Sequence, residues 1–157
     1  MPHFSKVHRV AHSAERMFDL VMDMERYPEF LPLCEALRVR SRRVAQGREI
    51  LIADMTVGYK AIRETFTTQD IANRAELTID ISYLNGPFKR LDNRWRFVPA
   101  GDDACDVHFA IDYEFNSRML ALLMGAMFDR AFRKFTAAFE ARADAVYGKP
   151  GNLATSA

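Results

Sequence analysis

Cysteine, long apolar runs, one-sided charge and catalytic signatures are all scarce in this sequence, and each scarcity removes a class of function. There are two cysteines in 157 residues, Cys34 and Cys105. They stand far apart with no CxxC spacing, so neither a disulfide framework nor a zinc site is indicated, and both read as small core thiols. No stretch approaches the ~20 uninterrupted apolar residues of a membrane span. The 22 basic and 21 acidic residues leave a net charge of +1, which supplies no global field for nucleic-acid phosphates, and DNA is not an expected partner. The opening MPHFSKVHRV lacks the apolar run of a secretion signal and the Arg/Ser-rich amphipathic stretch of a presequence, so a cytoplasmic, bacterial-type location is expected.

Catalytic motifs are missing as well. No GxSxG, HExxH, Gly-rich phosphate loop or spaced Cys/His pair occurs. His3, His8, His12 and His108 read as surface or internally satisfied residues. The expectation is a protein that is not an enzyme, with no catalytic residue, no metal and no cofactor.

What is present is a clear change of hydrophobic period. Phe4 to Val10 reads as an opening strand, and Ser13 stands where a helix N-cap should, ahead of AERMFDLVMDM. In that helix Ala14, Met17, Phe18, Val21 and Met24 form one apolar face. Pro28 and Pro32 push Tyr27 and Leu31 out of helical geometry, which makes RYPEFLPLC a one-turn or broken helix, a corner exposing large side chains. From about residue 35 to 116 the period becomes two, divided by turn residues at Gly47, Asn73, Asn85 to Pro87 and Gly101 to Asp103. Its arms include Leu51, Ala53, Met55, Val57, Tyr59; Ala75, Leu77, Ile79, Ile81, Tyr83; and Cys105, Val107, Phe109, Ile111, Tyr113, Phe115. This is an antiparallel meander with one wet and one dry face.

Ser117 can cap a last helix running to about Tyr147, about 45 Å at 1.5 Å per residue, with Gly148 and Pro150 to end it. Leu120, Leu123, Met124, Met127, Phe128, Ala131, Phe132, Phe135, Ala138 and Phe139 form its apolar stripe. The predicted fold class is α+β: a curved antiparallel sheet of six to seven strands wrapped around a long C-terminal helix, with two short helices after the first strand. Residues 148–157 read as a disordered tail.

A curved sheet and a Met/Phe-rich helix that do not interdigitate fully leave an apolar cavity, which selects greasy ligands. Burial gains about 0.8 kcal/mol per methylene-sized group, so a tail of several isoprene units needs no hydrogen bond to be held. Glu64 stands out because it shares its strand face with Ile62 and Phe66; it is either half of a structural ion pair or, in a functional reading, a hydrogen-bonder for a ligand head group or a general acid. Arg38, Arg40, Arg42 and Arg43 read as the solvated outer face of a sheet or as contacts for RNA or anionic lipid phosphates.

Three segments in order, YPEFLPLC at 27–34, ADMTVGYKAIRETFTT at 53–68 and LNGPFKRLDNRWRF at 84–97, carry a family likeness. The chain resembles the coenzyme Q-binding, polyketide cyclase-like branch of the START superfamily over residues 3 to 146. The resemblance implies a helix-grip fold over 1–147 with a hydrophobic tunnel for ubiquinone or a similar isoprenoid lipid, a role in respiratory electron transfer, and peripheral contact with the inner membrane. The same family includes bacterial ribosome-association toxins, which makes the ribosome the alternative partner and translation inhibition the alternative function; a cyclase is a third. Carried over, Tyr27, Pro28, Phe30, Leu31 and Pro32 form one rim of the tunnel. Gly86, Pro87 and Phe88 form a movable loop at its mouth, and Met55, Val57, Tyr59, Trp95, Phe97, Met124, Met127 and Phe128 line it. Leu33 and Tyr59 stand where the family often has tryptophan and phenylalanine.

Overall fold

The computed structural model describes residues 3–149; the tail expected at 148–157 lies almost wholly outside them. Strand β1 (His3–Val10) leads into helix α1 (Ala14–Met22) and a 3-10 helical turn (Met24–Glu29). Six strands follow: β2 (Cys34–Ala45), β3 (Arg48–Tyr59), β4 (Ile62–Asn73), β5 (Thr78–Asn85), β6 (Phe88–Pro99) and β7 (Cys105–Phe115). Helix α2 (Arg118–Tyr147) closes the chain. All seven strands form one antiparallel sheet in the order β1-β7-β6-β5-β4-β3-β2, so β1 closes onto β7 and β2 is a free edge.

The helix ends obey their caps. Ser13 Oγ accepts the Arg16 N–H and Ser117 Oγ the Leu120 N–H, satisfying backbone donors that the first turn leaves open. At the far end of α2, Gly148 takes a φ of +89° and its N–H reaches the Asp144 carbonyl. Helix α1 buries Ala14, Met17, Phe18 and Val21. Helix α2 buries Met124, Phe128, Ala131, Phe132, Phe135 and Phe139 against the dry face of the sheet; each fully buried phenylalanine is worth roughly 2 kcal/mol of transfer free energy. Two side-chain hydrogen bonds pin α2 to the start of the chain, His8 to Glu140 at 2.9 Å and His12 to Asp144 at 2.7 Å.

Several sequence expectations are corrected. The apolar stripe of α2 is broken in its first turns: Leu120 packs against the core, but Leu123 is 54% exposed, and Met119 and Leu122 beside it are 69% and 86% exposed. Ala75 leaves its predicted strand for a turn, because Leu77 adopts φ +56° and β5 starts only at Thr78. The corner after α1 is not a display of large side chains. Tyr27 and Leu31 are buried and Phe30 half-buried, with the Tyr27 ring edge-on to Phe139 at 5.4 Å and its hydroxyl donating to the Val21 carbonyl.

The free edge explains most of the arginine-rich strand. A register shift between Val39 and Ser41 leaves Arg40 as a bulge, and bulges and charges on an edge strand oppose pairing with another chain. Arg40 bonds Asp54 at 2.6 Å and Arg42 bonds Glu25 at 2.7 Å. Thr67 and then Arg40 hold the Asp54 carboxyl below the usual carboxylate range. Arg38 and Arg43 make no ion pair among the described residues.

The Gly86–Phe88 segment is locked down rather than loose. Phe88 is 4% exposed, stacked on Phe115 at 5.0 Å and edge-on to Phe66 at 5.4 Å. Gly86 has φ +143°, and a Cβ there would stand 2.5 Å from the Phe66 Cβ and 2.9 Å from its Cα. Backbone strain and overpacking each cost about 1–3 kcal/mol. Gly86→Ala is therefore expected to lower stability by at least ~2 kcal/mol, read as a melting-temperature drop of ~4–8 °C.

Candidate ligand-binding cavity

Between the dry face of the sheet and α2 lies a cavity. Its walls are Ala53, Met55 and Val57 of β3, Phe66, Thr68 and Asp70 of β4, Ile81 of β5, Leu91, Asn93 and Trp95 of β6, and Ile111 of β7. Helix α2 adds Phe128, Ala131, Phe132, Phe135 and Phe139, and the 3-10 turn and corner add Met24, Tyr27, Leu31, Pro32 and Leu33. Leu37 of β2 completes the wall. Pro32, Leu33, Leu37 and Met55 keep partial exposure while most of the other liners are buried. Leu37 faces Met55 across β2–β3, and the Leu33 carbonyl accepts the Gly58 N–H. The solvent side of the cavity is thus the corner beside the free edge strand.

The free volume is about 80 Å³. Sites that hold a drug-sized ligand measure roughly 300–1,000 Å³, so a larger occupant requires wall movement. Met24 and Met55 can repack by turning about their unbranched side-chain bonds, and the first turns of α2 have little packing to lose.

Of the sixteen residues expected to hold a ligand, Tyr27, Leu31, Pro32, Met55, Val57, Trp95 and Phe128 are brought together on this wall. Pro28, Phe30, Tyr59, Gly86, Pro87, Phe88, Phe97, Met124 and Met127 are not among the liners. Phe97 and Met124 belong to the core, Phe97 stacked on Trp95 at 6.0 Å. Phe88, with Phe115 and Phe128, plugs the end that was expected to be the mouth. Tyr59 sits at the β3–β4 tip opposite Ile62, and Phe30 packs on Phe139 outside the wall at 5.1 Å.

Sequence reasoning missed the polar part of the wall. Asp70 is 3% exposed and accepts the Thr68 hydroxyl through Oδ1 at 2.7 Å; Oδ2 makes no hydrogen bond among the described residues. Burial pushes its carboxyl up to about 6, with the Thr68 hydrogen bond pulling the other way. Asp70 lies in one cross-strand row, Leu51–Asp70–Ile81–Asn93–Ile111. Asn93 is already used by the fold: its Nδ2 donates to the Ala110 carbonyl at 2.8 Å and its Oδ1 accepts from Trp95 Nε1 at 3.1 Å. Tyr27 is also committed, to Val21, and its phenol is raised well above its ordinary value by burial and then by the Asp70 charge. Glu64, singled out in the sequence, is half-exposed and forms no ion pair among the described residues; the dry carboxylate of this strand face, Asp70, is three alternations further on.

Comparison with known proteins fits this architecture. Residues 10–140 match the family model described as polyketide cyclase / dehydrase and lipid transport. The chain belongs to that family. It is 37% identical over 149 residues to the ribosome association toxin RatA of Vibrio cholerae, covering 95% of this chain and all of that one. It is 26% identical over 140 residues to the mitochondrial coenzyme Q-binding protein COQ10 homolog B of Xenopus laevis, covering 87% of this chain and 56% of that one. An 18 kDa Caulobacter crescentus protein of solved structure is 37% identical with a TM-score of 0.77, covering 95% of this chain and 100% of its own. A START superfamily protein of Mycobacterium smegmatis is 25% identical with a TM-score of 0.74, covering 92% and 98%. A Streptomyces aromatase/cyclase at 15% identity and TM-score 0.77, covering 91% and 93%, shares the fold. The fold is thus the START-like helix-grip, with the sheet, the long C-terminal helix and the two short helices after β1 as expected.

Proposed function

We propose that the chain binds a lipophilic molecule of the isoprenoid quinone type, ubiquinone first, in the cavity between sheet and α2, and acts as a carrier in respiratory electron transfer. The observation that carries this reading is the wall itself: three polar residues among some twenty apolar ones, with two methionines able to give way. A benzoquinone ring suits aromatic faces such as Trp95 and Phe135, and an isoprenoid tail gains about 0.8 kcal/mol per buried methylene-sized group. The COQ10 homolog named above supports the same ligand class. Exposed Met119, Leu122 and Leu123 on the first turns of α2 give the carrier an apolar face for peripheral contact with a bilayer.

Extraction of lipids from the purified protein, read by mass spectrometry, tests the proposal. An isoprenoid quinone recovered near one per chain is the expected result; no quinone, together with no saturable binding of added quinone, would overturn it.

A second reading is ribosome association. The RatA likeness over the full length favours it, and Arg38 and Arg43 on the edge strand are exposed cations without an ion pair among the described residues. Polysome profiles after overexpression decide this: an unchanged monosome peak argues against it. Binding rather than turnover is proposed because Asp70 is the lone cavity group that titrates near neutrality, with no second acid or base beside it to share proton transfers.

A further inference from the structure

We infer that Asp70 is the polar anchor of the cavity and that it makes the site selective for uncharged amphiphiles ending in a carbonyl or hydroxyl oxygen, against anionic lipids. This rests on the carrier reading above and adds the head-group chemistry to it. Asn93 and Tyr27 spend their hydrogen-bonding groups on the backbone and on Trp95. Thr68 spends its hydroxyl proton on Asp70 Oδ1. Each of these groups keeps spare capacity, but among the described liners Asp70 Oδ2 is the one side-chain nitrogen or oxygen with no hydrogen bond, on a side chain 3% exposed that forms part of the cavity wall. A ligand oxygen that hydrogen-bonds this unpartnered atom is held more strongly than a ligand carbon.

Charge sets the exclusion. Among the described residues no lysine, arginine or histidine lines the cavity. A fatty-acid carboxylate or a phosphate would be buried there without a cation and beside a like charge, the arrangement of highest cost. An uncharged oxygen meets no such penalty. The protonated carboxyl donates to a carbonyl; the ionised one accepts from a hydroxyl.

The two ligand types therefore have opposite pH dependences. The groups around Asp70 leave it alone in titrating between pH 5 and 8. The 3-10 turn contributes Tyr27, raised well above its ordinary value. Cys34 at the start of β2 is pushed up to about 11 by burial. From β6 come Asn93 and Trp95, and from α2 only phenylalanines and Ala131. With Asp70 at about 6, a ketone binds more tightly as pH falls through that value, and an alcohol more tightly as it rises.

Four eight-carbon-scale probes separate the possibilities: methyl hexyl ketone, octanol, octane and octanoate, titrated into the 15N-labelled protein by NMR at a series of pH values. The wild type is expected to bind the ketone and the alcohol at least about fivefold more tightly than octane, and octanoate most weakly, with the crossing pH trends just described. Asp70→Leu should bring ketone and alcohol to the level of octane. Asp70→Asn, which keeps an N–H donor and the fold, should retain the ketone and lose both pH trends. An oxygen preference that survives Asp70→Leu, pH trends that survive Asp70→Asn, or octanoate as the tightest probe would overturn the inference while leaving the carrier reading intact. Binding of none of the four, octane included, would sink both.

Discussion

At pH 8 the Asp70→Asn variant is expected to melt some 3–6 °C above the parent, and at pH 4 about as far below it. The sign follows from linkage. In the folded chain the Asp70 carboxyl is raised from an ordinary 3.8 to about 6, so between those values the native state holds a proton that the unfolded state has released. Stability from this group is complete below about pH 3.8 and falls as pH climbs through about 6. Two units correspond to about 3 kcal/mol at most. The asparagine removes that cost but leaves part of a buried amide without a partner, worth about 1–2 kcal/mol. A net gain of about 1–2 kcal/mol at pH 8, and the amide loss alone at pH 4, give the stated shifts at ~2–4 °C per kcal/mol for a chain of this size. Thermal unfolding across pH reads them; a variant offset from the parent in the same direction and by the same amount at pH 4 and pH 8 would mean that Asp70 is not carrying a buried charge.

Ala131→Phe should abolish ligand binding without unfolding the protein. Ala131 is 6% exposed on α2 and lines the cavity, so a ring grown from its Cβ takes up free volume that is only about 80 Å³ to begin with. Overpacking in a full core costs about 1–3 kcal/mol, and space already present here places this change at the low end. Quinone affinity is expected to fall at least tenfold, about 1.4 kcal/mol, with a cooperative melt retained. Affinity unchanged in a folded variant would place the ligand elsewhere.

These two residues also show where the sequence was legible. The dry faces of β3, β6 and β7 and the stripe of α2 could be read because a period of two or of 3.6 is a local property of the chain. The same alternation that flagged Glu64 reaches Thr68 and Asp70 if continued past Phe66, and β4 buries that continuation. The part played by the free edge in the opening was not legible, although one rim was expected at the 27–32 corner. It depends on β2 being a free edge and on Leu33, Leu37 and Met55 meeting beside the corner, a matter of strand order and not of spacing. Gly86-Pro87 carries the signature of a turn, but whether such a turn swings free depends on Phe66, twenty residues away, against which Gly86 is pressed. The exposed first turns of α2 were misread for a related reason: Leu123 has the spacing of a core residue but lies where little of the sheet is left to cover it.

The methionine methyl groups give the most direct test of an interior site. Met24 and Met55 line the cavity, Met124 is buried outside its wall, and Met119 is 69% exposed. With 13C-labelled methionine methyls and a short-chain ubiquinone as probe, Met24 and Met55 should shift together and saturate while Met119 stays still. Saturating shifts confined to Met119, with Met24 and Met55 silent, would contradict binding between sheet and helix.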